Sequence, residues 1–365
     1  MIQQKRIAGF VHREASGRHQ KKTCQRGQKT GILGTESQPV VAAKRHQKCN
    51  QPAKKIGKQG RQTQHLHQGD YNAPVCEGGQ GADQNEQNDL TRHKAERAVA
   101  KDRQISICAD DFGMAPAVDE AILKLAQARR LTGTSCLVDG DSFVQNAPAL
   151  RQSTLQKGLH LNFTEFASQK GVYAMPLKQV LIRSLLHRLD SQKVKDSVAR
   201  QLDRFEEVMG QGPDYIDGHQ HVHQLPMIRE ALLAEMERRY AASMPWLRYT
   251  GAQRLATGFA FKDRFKAQII AGLGSRDLLR LARAKGVTMN TSFTGVYDFQ
   301  GGKERYSALV KAWLAVMQHG DSMMCHPSLS SVQDDPVGLQ RLAEYEVLAG
   351  SDMQQWLEQY SLRIA

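Results

Sequence analysis

The chain has 365 residues, and its 50 Lys and Arg against 37 Asp and Glu give a formal net charge of +13. A hydrophobic content of 40% supports a substantial core, which excludes a wholly disordered protein. No apolar run reaches the ~18–20 residues that a membrane-spanning helix needs, and no apolar stretch near the N-terminus predicts a secretory signal. The charge alone would suggest a nucleic-acid binder.

Most of this charge lies in residues 1–100, which hold 18 Lys and Arg and 8 Asp and Glu, whereas residues 101–365 hold 32 and 29. With 15 Gln and few apolar residues, the first segment cannot offset its ordering entropy, so we predict that it is disordered. It is a nucleic-acid-binding tail, a solvated appendage, or translated sequence upstream of a true start near Val99. Its only aromatic residues are Phe10 and Tyr71, which argues against nucleic acid.

From about residue 103 the apolar pattern alternates between short strands and helices. Strands are predicted at residues 104–108, 134–138, 158–163, 214–217, 246–249, 287–290 and 322–325. Helices are predicted from Pro116 onward and near residues 177–189, 194–209, 226–240, 261–284, 305–318 and 339–348. This alternation favours a single α/β domain over residues 101–365 with a mostly parallel sheet, either an α/β barrel or a doubly wound open sheet.

The positions of the polar residues favour the barrel. Candidate site residues lie at or just beyond the carboxyl ends of predicted strands: Asp110, Asp111, His160, His219, Arg248 and His326. Because these ends converge on one mouth of a barrel, we expect the side chains to meet there.

The adjacent carboxylates of Asp110 and Asp111 repel each other, so a cation or the surrounding structure must stabilise them. In the functional interpretation one Asp binds a metal and the other is a general base; the alternative is a helix N-cap with a spare acid. His160, in an apolar strand, would on its own be interpreted as a core histidine.

A stronger signal is Asp217-x-His219-x-His221-x-His223, which places three of the seven histidines of residues 101–365 at alternating positions. If this segment is extended, the three imidazoles point the same way, but one metal would hardly accept all of them. We therefore expect one or two to be ligands and the others to support the ligands or contact substrate, with a solvated cluster as the alternative.

One carboxylate and two imidazoles leave several positions open on a divalent ion. A second carboxylate as base and His326, which ends the last predicted strand, as acid would complete the groups needed to hydrolyse an amide or ester. No CxxC pair occurs, and Cys108, Cys136 and Cys325 lie in apolar contexts. They predict buried free thiols of a reducing compartment, and hence a cytoplasmic protein.

Together these motifs resemble those of the YdjC-like carbohydrate deacetylases, which include chitooligosaccharide deacetylases and deacetylases linked to hopanoid biosynthesis. The motifs are Asp110-Asp111-Phe112-Gly113, Gly158-Leu159-His160, the histidine segment and Cys325-His326-Pro327. The resemblance covers roughly residues 103–350 and none of residues 1–100. It implies a deformed (β/α) barrel of the polysaccharide-deacetylase type with one divalent metal ion, Mg or Zn, at its mouth.

The resemblance also implies roles for individual residues. Asp111, His160 and His219 would be the metal ligands, and Asp110 the general base. His326 would protonate the leaving amine. Arg248 would keep Asp110 ionised, with an ordinary surface salt bridge as the alternative.

The implied substrate is an acetylated amino sugar. Phe293 and Tyr297 are candidates for stacking on it, although core packing is favoured for Phe293. A homo-oligomer is compatible with the sequence. Two other functions stay open: a metallophosphoesterase, which would usually need ligands for a second ion, and a nucleic-acid binder acting through residues 1–100.

Overall fold

The computed structural model describes residues 103–251, 254, 261–332 and 334–364. The predicted disordered segment, residues 1–100, lies outside these residues, as do the three interpretations given for it. Within the described part of the chain, no helix is both long enough and apolar enough to cross a membrane.

Strands and helices alternate along the described chain. The strands are β1 (Arg103–Phe112), β2 (Gly133–Cys136), β3 (Gln156–Leu161), β4 (Tyr215–Gly218), β5 (Trp246–Leu247), β6 (Phe293–Thr294), β7 (Ser322–Cys325) and β8 (Leu362–Ile364). The helices are α1 (Pro116–Gln127), α2 (Phe143–Gln152), α3 (Leu177–Leu185), α4 (Ser191–Met209), α5 (Ile228–Tyr240), α6 (Phe261–Gly272), α7 (Ser275–Ala284), α8 (Gly302–Val316), α9 (Gln340–Ala349) and α10 (Ser351–Gln359).

The strand pairings among the described residues are all parallel. The strands follow the order β5-β4-β3-β2-β1-β7-β6, and β8 also pairs with β1. A parallel bridge joins Leu247 at one edge to Met289, which lies just before β6 at the other edge. The amide of Leu247 also donates to the carbonyl of Thr288 at 2.9 Å. The two edges therefore meet, and the sheet forms the predicted deformed (β/α) barrel rather than the doubly wound alternative.

The local sequence explains several element boundaries. Helix α4 begins after Asp190, whose carboxylate accepts from the amides of Gln192 and Lys193, and it ends at Gly210 with a left-handed φ of 74°. The single helix predicted over residues 261–284 is wrong, because Gly274 takes a φ of 108° and separates α6 from α7.

Buried aliphatic and aromatic side chains from the strands and the inner faces of the helices form one large core. The strand predicted at residues 287–290 is present only as the bridge at Met289. Cys108, Cys136 and Cys325 are buried and free, which confirms the predicted thiols.

Candidate metal centre at the barrel mouth

Strand β1 supplies both carboxylates of the predicted pair and directs them to different partners. The register of β1 against β2 shifts between Ala109 and Phe112, and Asp111 has a φ of 73°. Such an irregularity changes the direction of a side chain, and left-handed backbone is costly for a residue with a Cβ. Asp110 and Asp111 are both buried, and each pairs with a different arginine: Arg248 for Asp110 and Arg341 for Asp111.

Asp111 lies beside the two predicted histidine ligands. Its Oδ1 is 3.0 Å from Nδ1 of His219 and 3.4 Å from Nε2 of His160. The three side chains come from β1, β3 and the turn after β4, and one ligand atom of each lies within 4.8 Å of the others. The barrel thus brings together the three residues that the resemblance implies as ligands.

Each imidazole directs its other ring nitrogen toward a second carboxylate. Nδ1 of His160 is 2.6 Å from Oδ1 of Asp217, and Nε2 of His219 is 3.6 Å from Oε1 of Glu165. Metal-binding histidines usually have such a partner, which orients the ring and leaves the opposite nitrogen for the ion. Burial disfavours charge on His160, but Asp217 and Asp110 outweigh it and raise its pKa to about 10.

The charges also fit a cation. Two buried guanidiniums are shared by four carboxylates: Arg248 contacts Asp110 and Asp217, and Arg341 contacts Asp111 and Asp335. Two negative charges therefore exceed the arginines, and imidazolium groups or a divalent ion can balance them. Asp110, His160 and Asp217 form a second group with metal-ligand spacing, but Arg248 already binds both of its carboxylates.

Arg248 binds Asp110 through two parallel hydrogen bonds of 2.7 Å. Its Nη2 is also 2.7 Å from Oδ2 of Asp217, and the arginine is fully buried. Burial favours the neutral form of Asp110, but Arg248 outweighs it and holds the pKa of that carboxyl well below its usual range. Asp110 is therefore ionised at neutral pH.

His326 directly follows β7 and lies near Asp110. Its Nε2 lies 3.9 Å from Oδ2 of Asp110, and its backbone amide donates to Glu344 at 2.6 Å. Phe299 packs edge to face against the imidazole, with ring centroids 5.1 Å apart. Burial lowers the pKa of His326 although Glu344 and Asp110 oppose this effect. A carboxylate and an imidazole suited to proton transfer thus lie close together.

Five of these residues line a pocket of about 680 Å³, which is a usual size for a small-molecule site: Asp110, Asp111, His160, His219 and His326. Apolar side chains cover much of its wall, among them Met114, Leu177, Leu181, Ile270, Val296 and Phe299. Phe293 and Tyr297 are fully buried, so neither ring is available to stack on a sugar, and the core packing favoured for Phe293 is confirmed. The pocket aromatic beside His326 is Phe299.

The histidine segment is not extended, so the condition under which its three imidazoles would point the same way is not met. Residues His219–Gln224 form a short 3₁₀ segment, within which Gln220 and His221 have φ values of 53° and 62°. His219 consequently reaches Asp111, whereas Nε2 of His223 is 2.9 Å from the carbonyl oxygen of Arg248. His221 lines the pocket.

Sequence reasoning missed Arg341 and Glu344, which both belong to α9 and contact site residues. Their signal was weak, because a charged residue in a helical pattern usually indicates a solvated face. It also missed Asp335, which pairs with Arg341, and Glu165 beside His219.

Comparison with known proteins identifies the family of this chain. Residues 104–359 match the model of the YdjC-like protein family. A carbohydrate deacetylase of Mus musculus is 28% identical over 300 residues, which cover 72% of this chain and 93% of the mouse protein. A chitooligosaccharide deacetylase of Enterobacter sp. (strain 638) is 24% identical over 278 residues, covering 72% and 97% of the two chains.

Among solved structures, a putative cellobiose-phosphate cleavage protein of Enterococcus faecalis V583 has a TM-score of 0.52 and 19% identity. The match covers 73% of this chain and 97% of that protein, and it supports a shared fold. Since the family model matches well over half of the chain, this protein belongs to the YdjC-like family.

Proposed function

We propose that this protein is a metal-dependent carbohydrate N-deacetylase that removes the acetyl group from the nitrogen of an amino sugar. The observation that carries the proposal is one cluster in which Asp110 and His326 lie beside Asp111, His160 and His219. The named activities of the mouse and Enterobacter relatives support the same reaction. The near balance of charge in residues 101–365 suits an uncharged sugar.

Asp111, His160 and His219 would hold one divalent ion, Mg or Zn. The mixed carboxylate and imidazole set suits Zn well and also permits a harder ion such as Mg. When bound, the ion would supply Lewis-acid polarisation of the acetyl carbonyl.

The chain's own residues would move the protons. Asp110, kept ionised by Arg248, would accept a proton from the attacking water as that oxygen bonds to the acetyl carbon. His326 would donate the proton of its imidazolium to the amide nitrogen as the C–N bond breaks. Because burial lowers its pKa, that imidazolium gives up its proton readily. One water is consumed, and acetate and a free amine leave.

The test measures acetate release from N-acetylated sugars, beginning with chitobiose and extending to peptidoglycan-type and lipid-linked amino sugars. We expect release to stop after chelation and to return when Zn²⁺ or Mg²⁺ is added. Asp110→Asn should lose nearly all turnover and still bind the ion. Asp352→Asn, at an exposed site in the first turn of α10, is the matched control and should keep wild-type turnover. Near wild-type activity of Asp110→Asn would contradict the base assignment.

A metallophosphoesterase is the second candidate, and the described residues support it less. The two groups with metal-ligand spacing share His160, so they do not provide independent sites for two ions. We therefore expect one tightly bound ion per chain. Two ions per chain in metal analysis, together with release of phosphate from a sugar phosphate, would favour the phosphoesterase.

A further inference from the structure

Helix α9 places a buried arginine against one of the proposed metal ligands. Arg341 is 1% exposed, and its Nη2 donates to Oδ2 of Asp111 at 2.8 Å. The same guanidinium donates from Nε to Oδ2 of Asp335 at 2.6 Å. Its Nη1 is buried and has no hydrogen-bond partner among the described residues. Arg341 therefore joins a proposed metal ligand to Asp335 while it is shielded from solvent.

The contact with Arg341 distinguishes the two oxygens of Asp111. Oδ2 is held by the guanidinium, whereas Oδ1 faces Nδ1 of His219 and Nε2 of His160 at 3.0 and 3.4 Å. A carboxylate that is free to rotate can offer a metal one oxygen or both. With Oδ2 held, Asp111 presents only Oδ1 toward the imidazoles.

Arg341 also connects this ligand to the pocket wall. The carboxylate of Asp335 accepts from the amides of Val337 and Gly338, each at 3.2 Å, and so organises the turn that it begins. Asp334, Asp335, Pro336 and Val337 all line the pocket. One turn further along α9, Glu344 accepts the backbone amide of His326. The helix therefore holds a proposed ligand, part of the wall and the proposed acid.

We propose that Arg341 is a positioning residue that keeps Asp111 as a one-oxygen metal ligand and ties the 334–338 turn to it. The inference rests on the proposed metal site, but it concerns how the ligand is held and not which reaction follows. Arg341 is replaceable only in part by lysine, since an ammonium group lacks the planar fork that reaches two carboxylates at once.

The test measures metal binding by the full chain and its variants, using calorimetric titration with Zn²⁺ and the visible absorption spectrum of the Co²⁺ form. Arg341→Met should bind Zn²⁺ ~10–100-fold more weakly, which is the usual effect of losing a group that orients a ligand. Its Co²⁺ spectrum should change in intensity or position. Arg341→Lys should fall between Arg341→Met and wild type.

The matched control is Arg239→Met. Arg239 is also largely buried and bridges several carboxylates, at 2.6 Å to Asp203, 3.1 Å to Glu206 and 2.6 Å to Glu235. Those partners belong to α4 and α5, and none of them lines the pocket. The control variant should lose stability and keep both its Zn²⁺ affinity and its Co²⁺ spectrum, which separates positioning from general destabilisation.

The inference is overturned if Arg341→Met binds Zn²⁺ within about twofold of wild type and has the same Co²⁺ spectrum. If Arg341→Met does not fold, Arg341→Lys decides, and wild-type affinity and spectrum in that variant overturn the inference equally. A wild-type protein that binds neither ion overturns the metal site itself, and the two failures are thus distinguishable.

Discussion

Replacing Arg248 offers the sharpest test of how the buried charges stabilise the fold, because this one guanidinium binds two buried carboxylates. In Arg248→Met a side chain of similar length remains, but the charge and its donors are lost. Asp110 loses two hydrogen bonds of 2.7 Å, and Asp217 loses a contact of the same length. Both carboxylates are at most 2% exposed, so water cannot replace these interactions.

Removing one partner of a buried ion pair typically lowers the free energy of unfolding by about 3–5 kcal/mol, because the remaining charge is left without compensation. Two carboxylates depend on Arg248, so we expect the upper part of that range. Such a loss is a large fraction of the ~5–15 kcal/mol by which most domains are stable. Arg248→Lys should lose less, since it keeps a charge but cannot make parallel hydrogen bonds to Asp110.

The loss of unfolding free energy in Arg248→Met should depend on pH, with a defined sign. In wild type the pKa of Asp110 is held below its ordinary 3.8, so its contribution to stability is present above that value and is lost as pH falls through the lower, folded-state pKa. In Arg248→Met the opposition to burial is weaker, because only His160 and His326 still favour the charged form, so the pKa of Asp110 should rise relative to wild type. The difference in free energy of unfolding between wild type and variant should therefore be largest near about pH 7. It should shrink toward about pH 4 as the carboxyl of Asp110 is protonated in the variant.

The assay is urea unfolding followed by far-ultraviolet circular dichroism, repeated at both pH values. Arg238→Met is the control, because Arg238 forms a similar two-contact pair with Glu235 but is mostly exposed. It should leave the free energy of unfolding nearly unchanged. An Arg248→Met variant that is as stable as wild type at neutral pH, or whose deficit grows in acid, would refute the reasoning.

Two further predictions concern the proposed acid and the packing beside His160. His326→Gln should lower kcat by ~10²–10⁴ with KM largely kept, and the alkaline limb of the pH–rate profile should disappear; an unchanged profile contradicts the acid role. Gly158→Ala should destabilise the fold by ~1–3 kcal/mol, because the new Cβ would lie 2.4–2.7 Å from ring atoms of Tyr215, which is buried and stacked on Trp246. Gly272→Ala, whose added Cβ meets no atom within 4 Å beyond its chain neighbours and its own helix backbone, is its control in thermal melting, and equal stability of both variants would refute this packing argument.

Much of the fold was predictable because local periodicity determines where strands and helices form. The first strand and the helix from Pro116 correspond to β1 and α1. The pairing of the shortest strands was harder to predict from the sequence, since β5, β6 and β8 have only two or three residues each. Such short strands carry almost no periodic signal, and their pairing depends on chain segments distant in sequence.

The sequence by itself determined which residues could form the site. Asp110, Asp111, His160, His219 and His326 all lie at or just beyond the carboxyl ends of predicted strands, and parallel strands bring these ends to one mouth. The order of the elements is enough to bring these residues to one end of the sheet, and no side-chain contact has to be known.

Only the tertiary structure decided how those residues are held. The turn at Gln220 and His221 separates the three histidines, and Arg341 reaches Asp111 across 230 positions of sequence. These features depend on left-handed backbone and on desolvated charge pairs between remote elements. Neither leaves a periodic pattern in the chain, because the energies involved exist only once packing has excluded water.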